Sequence, residues 1–151
     1  MVKVRQVLAD EAPKAFEGLN WERDGDVCFV EFEAKRPDGT ADVYLTKWTF
    51  FHYPEWPPHV TFVDPKTKLY DSSYWPVISG STDLAFNASY GDAPEGLICN
   101  SMFFDWYFWG GHGSQPAVSW RPGVHRAAAT VAELIIHLQQ PYYVGPANAR
   151  A

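Results

Sequence analysis

The sequence predicts a single α+β domain, and three observations carry that expectation. Residues 26–34 alternate apolar and polar side chains, and residues 42–51 form a second run rich in β-branched and aromatic residues across a short turn. A helical apolar stripe follows much later, near residue 130. The chain's 151 residues are enough to bury one core without disulfide or metal staples. The expected order is helix, antiparallel strands, long irregular loop, helix.

Residues 3–19 read as helical but interrupted. Val4, Val7 and Leu8 make a short apolar face. Pro13 disfavours the interior of a helix, so one helix should end before it or a second should start near Asp10. Cys28, Val30, Phe32 and Ala34 share one face of the next run, with Glu31 and Glu33 on the other. Arg36-Pro37-Asp38-Gly39 is a turn, and His59–Val63 a third short strand closed by Asp64-Pro65. Residues 64–98 read as irregular, and a loop of that length inside a compact domain is usually functional. Residues 101–119 are aromatic and glycine-rich without a period. Thr130 and Glu133 fit a capping box, after which Val131, Leu134, Ile135 and Leu138 form one stripe that Pro141 ends.

Composition narrows the function classes. Hydrophobic residues make up 46% of the chain, too many for a disordered tail. The net charge of −6 gives no chain-wide attraction to nucleic acid, and no apolar run is long enough to span a bilayer. Met1–Gln6 leads into Asp10 and Glu11 and not into an apolar run, so we expect no secretory signal, a cytoplasmic location and two reduced thiols, Cys28 and Cys99. His52, His59, His112, His125 and His137 raise a zinc-hydrolase alternative, but no pair has HxxxH or CxxC spacing, so no metal is expected. His137 reads as a polar-face residue of the last helix.

The motifs add a resemblance. Tyr53-Pro54-Glu55-Trp56-Pro57-Pro58 is a stiff bend, followed by a strand with Val60 and Phe62. Gly96-Leu97-Ile98-Cys99 comes next, then Trp120-Arg121-Pro122, 19 residues before Pro141. In kind, order and rough spacing, over about residues 25–141, these four landmarks resemble the ubiquitin-conjugating enzyme family. The family's two C-terminal helices are expected to be missing here, and with the other departures this resembles the family's divergent, minimal bacterial relatives, which occur beside adenylating enzymes, ubiquitin-like proteins and deubiquitinase-like peptidases, often in antiviral defence. Of the family's His-Pro-Asn triplet only Asn87 stands here, 12 residues before Cys99.

The resemblance implies a ubiquitin-conjugating-like fold and a catalytic Cys99. The thiol would receive a ubiquitin-like protein as a thioester from an activating enzyme and transfer it to an amine, a lysine of a target protein. Chemistry agrees, since a thiolate is both a strong nucleophile and a good leaving group. No cofactor is required, and neither nucleic acid nor membrane is a partner. Asn87 would hold the oxyanion formed on attack, with Asn100 as a rival donor. The family's acid after the closing proline is replaced by Tyr142-Tyr143-Val144, so His112, flanked by Gly110, Gly111 and Gly113, is assigned as general base, with Asp105 as its rival. Cys28, on the apolar face of a strand, reads as structural. The alternative is a non-catalytic module of the same fold that recognises a ubiquitin-like protein or a partner enzyme.

Overall fold

A computed structural model describes residues 2–79, 85–110 and 120–150. Helix α1, Val2–Ala15, is followed by four strands, β1 (Trp21–Asp24), β2 (Val27–Lys35), β3 (Ala41–Thr49) and β4 (His59–Val63). These pair antiparallel in chain order, β1-β2-β3-β4, as a meander. The α+β class and the antiparallel meander therefore agree with the sequence reading. Strand β1 was not foreseen. It is closed onto β2 through Gly25 and Asp26, with Gly25 at φ +61°, a hairpin signalled by Asp24-Gly25.

The alternation expected of β2 decides which face is inside. Cys28, Val30, Phe32 and Ala34 are all buried, as are Tyr44, Thr46 and Trp48 of β3 and Val60 and Phe62 of β4. Helix α1 covers this face with Val4, Leu8, Ala12 and Ala15, and Phe16 meets the Trp48 ring edge-on at 5.0 Å. The helix does not break at Pro13 as expected. Proline removes one hydrogen bond of the last turns, but Ala12, Ala15 and Phe16 around it are buried, and that burial offsets the loss.

Beyond β4 the irregular stretch contains three short strands, β5 (Pro76–Ile78), β6 (Phe86–Asn87) and β7 (Leu97–Ile98). Helix α2, Phe104–Phe108, is a single turn or so, too short to leave a period in the sequence. Helix α3 spans Ala127–Leu138 and starts a turn before the capping box. Its N-cap, Arg126, makes no side-chain cap; instead the Ala127 N–H donates to the Tyr53 hydroxyl (3.2 Å). Thr130 and Glu133 therefore lie inside the helix, where their side chains are used for tertiary bonds described below.

The last strand, β8 (Tyr143–Pro146), pairs with β5. It stands where the sequence suggested only a terminus to the helix. Tyr143 is fully buried and donates to Asp42 (2.6 Å), whose carboxylate is also held by Arg36 in two bonds of 2.8 and 2.9 Å. Arg36 holds the Asp42 carboxyl below its ordinary range, and burial pushes the Tyr143 phenol up. Among the described residues no helix is long and apolar enough to cross a membrane.

Candidate active site

The site is built on the β6–β7 ladder. Phe86 pairs with Ile98 and Asn87 with Leu97, and the Cys99 N–H extends the ladder by donating to the Ala85 carbonyl (2.7 Å). The nine residues between Asn87 and Leu97, 88–96, thus form the excursion of a hairpin. The register sets Asn87 opposite Leu97, and the hydrogen bond sets Ala85 opposite Cys99.

Gly96 is fixed by its surroundings. Its φ is +75°, and a Cβ there would lie 2.4 Å from the Trp75 ring and 3.0 Å from the Asn87 carbonyl oxygen. Only glycine lets the chain enter β7 this close to a buried indole. Leu97 and Ile98 are buried, and Cys99 is then exposed. The reason is local. The Asn100 N–H donates back to the Ile98 carbonyl (3.0 Å), a three-residue turn with Cys99 at its apex. The Phe103 N–H next closes onto the Asn100 carbonyl (3.0 Å), so the backbone folds away on both sides of the thiol.

Asn100 turns toward α3. Its Nδ2 donates to Glu133 Oε2 (3.1 Å) and meets His137 Nε2 (3.1 Å), while its Oδ1 accepts from the Met102 N–H (2.8 Å). Both amide hydrogens of Asn100 are committed in this arrangement. Two of these partners were missed. His137 is not merely on a polar face; it is half-buried and packs edge-on to the Phe86 ring at 6.1 Å. The signal that was available is the Glu133/His137 spacing of four, which stacks the two side chains on one helix face.

His112, the assigned base, lies outside the described residues. Its rival Asp105 is buried on α2 and hydrogen-bonded to His59 Nδ1, so it is no open carboxylate. That pair lines a cleft of about 290 Å³ whose walls also include His52, Glu95, Phe104, Phe108 and Trp109. Lys47 pairs with Glu95 at its edge (3.0 Å). The aromatic 103–109 segment is mainly core: Phe103, Trp106 and Tyr107 are buried and Phe108 is exposed. Among the described residues, no three His, Cys, Asp or Glu side chains are grouped as metal ligands.

Cys28 is fully buried, and burial pushes its thiol up to about 11, against a smaller opposing pull from Arg23. Two sequence landmarks meet directly. The Trp120 indole donates to the Pro54 carbonyl (2.8 Å) and its ring lies 5.9 Å from Tyr53. Compared with family models, with curated proteins and with solved structures, the chain gives no match.

Proposed function

We propose that this chain is a thioester carrier of the ubiquitin-conjugating kind, acting on a ubiquitin-like protein. The observation that carries the reading is Cys99 itself: an exposed thiol at the apex of a turn, reached through a Gly-x-Ile-Cys backbone that glycine alone permits, with Asn87 alongside. The direct contact between Trp120 and the Tyr53-Pro54 bend supports the same reading.

The Cys99 thiolate attacks the activated C-terminal carbonyl of the ubiquitin-like protein held by an adenylating enzyme. A C–S bond forms and the activating enzyme's leaving group departs. A target lysine, protonated at neutral pH with an ordinary pKa of about 10.4, gives up a proton, for which His112 is the assigned base. The amine then attacks the thioester carbonyl, Asn87 bonds the oxyanion, the C–N bond forms and Cys99 leaves as thiolate. ATP is consumed by the activating enzyme, so this chain needs no cofactor of its own. Bacterial antiviral conjugation is the setting that the resemblance suggests.

The test is intact mass after incubation with ATP, a bacterial adenylating enzyme of this kind and its ubiquitin-like protein. The expected product is a single adduct, removed by reducing agent, formed by wild type and Cys28→Ala and absent from Cys99→Ala. An adduct that survives Cys99→Ala overturns the reading. Binding of the ubiquitin-like protein without any adduct would make the chain a non-catalytic recognition module.

A further inference from the structure

The cleft of about 290 Å³ opens on the face of the sheet opposite the core. Trp48 and Val60 are cross-strand partners turned inward, so Thr49 and His59, the next pair in the register, point to the outer face. Asp105 reaches them from α2, which is anchored to the bend before β4 by the Phe104 N–H donating to the Pro58 carbonyl (3.1 Å). Glu95, from the excursion that leads into β7, closes another side, its carbonyl accepting from the Thr61 hydroxyl (2.6 Å).

The polar part of the cleft is small and ordered. Asp105 is 2% exposed and holds the His59 ring through Nδ1. A carboxylate can only accept, so Nδ1 donates, and Nε2 carries the lone pair of the neutral imidazole. The charges are settled locally: among the described residues Asp105 is paired with His59, and Glu95 with Lys47 (3.0 Å). One wall is flat. The His52 and Phe104 rings stack at 4.7 Å and 8°, and the Phe104 and Phe108 rings at 5.6 Å and 19°, near-parallel faces in a row. Phe108 is 63% exposed and Phe51 56%, so both leave large apolar surface in water at the cleft.

We propose that this cleft binds a small, neutral, flat aromatic molecule carrying an N–H or O–H donor, a ring of the indole kind, stacked against the Phe104–Phe108 wall with its donor bonded to His59 Nε2. Each property of the ligand follows from one part of the cleft. A charged molecule would lose its hydration and meet no unpaired counter-charge, because the acids already have partners. A flat ring gains most from a wall of near-parallel rings, and covers Phe51 and Phe108 as well. The volume stands at the lower end for small-molecule pockets, which leaves room for a fused bicyclic ring and little more. The donor is required because the atom His59 offers is an acceptor. Asp105 is a positioning residue: it fixes the orientation and tautomer of the imidazole and touches no ligand itself. The inference goes beyond the reading of Cys99 and does not depend on it.

The experiment uses the whole chain, labelled with ¹⁵N and free of partners, titrated with indole and with benzofuran. Benzofuran has the same fused rings but an oxygen in place of the N–H. Indole is expected to bind with a Kd of about 1 mM or below and to shift the backbone signals of Thr49, His59, Asp105 and Phe108. Benzofuran should bind about threefold to tenfold more weakly, the range of one hydrogen bond. Phe108→Ala, at an exposed position, should weaken both rings by about threefold or more. The double variant His59→Leu/Asp105→Leu removes both members of the buried pair, so no lone charge is left behind, and the preference for indole should vanish. Should that variant fail to fold, the two ligands on the wild-type chain decide the matter alone. N-acetyltryptophanamide carries the same ring on a peptide backbone and should bind no more tightly than indole, since the cleft holds little beyond the ring. Absence of saturable binding, equal affinity of wild type for indole and benzofuran, shifts confined to residues outside the cleft, or tighter binding of the peptide-borne ring overturns the proposal. Failure of Cys99 to form a thioester would leave each of these results untouched.

Discussion

Cys28 and Cys99 carry the same thiol in two regions built on different physics. Cys28 sits mid-strand in β2, paired across to Trp48 on one side and Arg23 on the other, and is enclosed by the core between the meander and its helices. The order there comes from apolar burial and from ladders nine residues long. Cys99 sits at the end of a two-residue strand, and the turn after it is held by side-chain bonds from Asn100, Thr130, Glu133 and His137. Burial makes the first thiol inert by penalising its anion, whereas a polar, surface-built turn leaves the second open to reagents. The difference teaches that a thiol can be held in place without being enclosed.

Native-state alkylation sharpens that contrast most. With its thiol pushed up to about 11 and no exposed surface, Cys28 offers almost no thiolate to iodoacetamide near neutral pH. At pH 7.5 Cys99 should be modified at least about a hundredfold faster than Cys28, as read by peptide mass after a time course. In guanidinium the two rates should converge. Comparable rates in the native protein would break the comparison outright.

The second effect is smaller and lies within the Cys99 region. On the proposed function, loading needs only the thiolate, but discharge to an amine builds an oxyanion that Asn87 would bond, and removal of such a donor generally costs about 2.7–4 kcal/mol. Single-turnover discharge of preloaded Asn87→Ala should slow by about tenfold or more, while its loading rate stays at the wild-type value. Equal discharge rates would move the role to a backbone donor, since the Asn100 amide is already committed to α3.

The same division explains what could be read in advance. In β2 the side chains report their own face, so period-two alternation was sufficient to place Cys28, Val30, Phe32 and Ala34 inside. The last helix was legible from its stripe of Val131, Leu134 and Leu138. Its start was not, because the group that receives the first free N–H is Tyr53, 74 residues earlier. A local capping box is indistinguishable, in sequence, from a threonine and a glutamate reserved for tertiary bonds. Strands β5 and β8 escaped for a related reason: a three-residue strand pairing with one over sixty residues away leaves no local period. Motif order singled out Cys99, and the structure shows that thiol exposed, whereas the bonds of Glu133 and His137 depend on which turn α3 packs against. Asp105 was legible as an acid but not as a buried partner of His59.

The smallest effect compares one bond type in the two regions. Thr46 of β3 is fully buried; its hydroxyl donates to the Val30 carbonyl (2.8 Å) and accepts from the Trp48 indole (2.8 Å). Thr130 of α3 is equally buried, and the bond shown for its hydroxyl runs to the Met102 carbonyl. Valine is close to threonine in shape, so each Thr→Val change removes hydrogen bonds with little change in volume. Thr46→Val leaves a buried indole N–H without its acceptor, which costs about 1–3 kcal/mol. Thr130→Val removes a bond worth about 0.5–1.5 kcal/mol, and Met102 lies on a half-buried turn where water can replace the donor. Urea unfolding should therefore rank Thr46→Val as the less stable protein. Hydrogen exchange at Met102 and Phe103 should rank them the other way, with faster local exchange in Thr130→Val, because the turn opens without unfolding the sheet. If Thr130→Val unfolds at the lower urea concentration, or leaves exchange in the turn unchanged, the turn is not a separately held unit. The contrast between a buried sheet and a thiol on a turn held by polar bonds would then have to be abandoned.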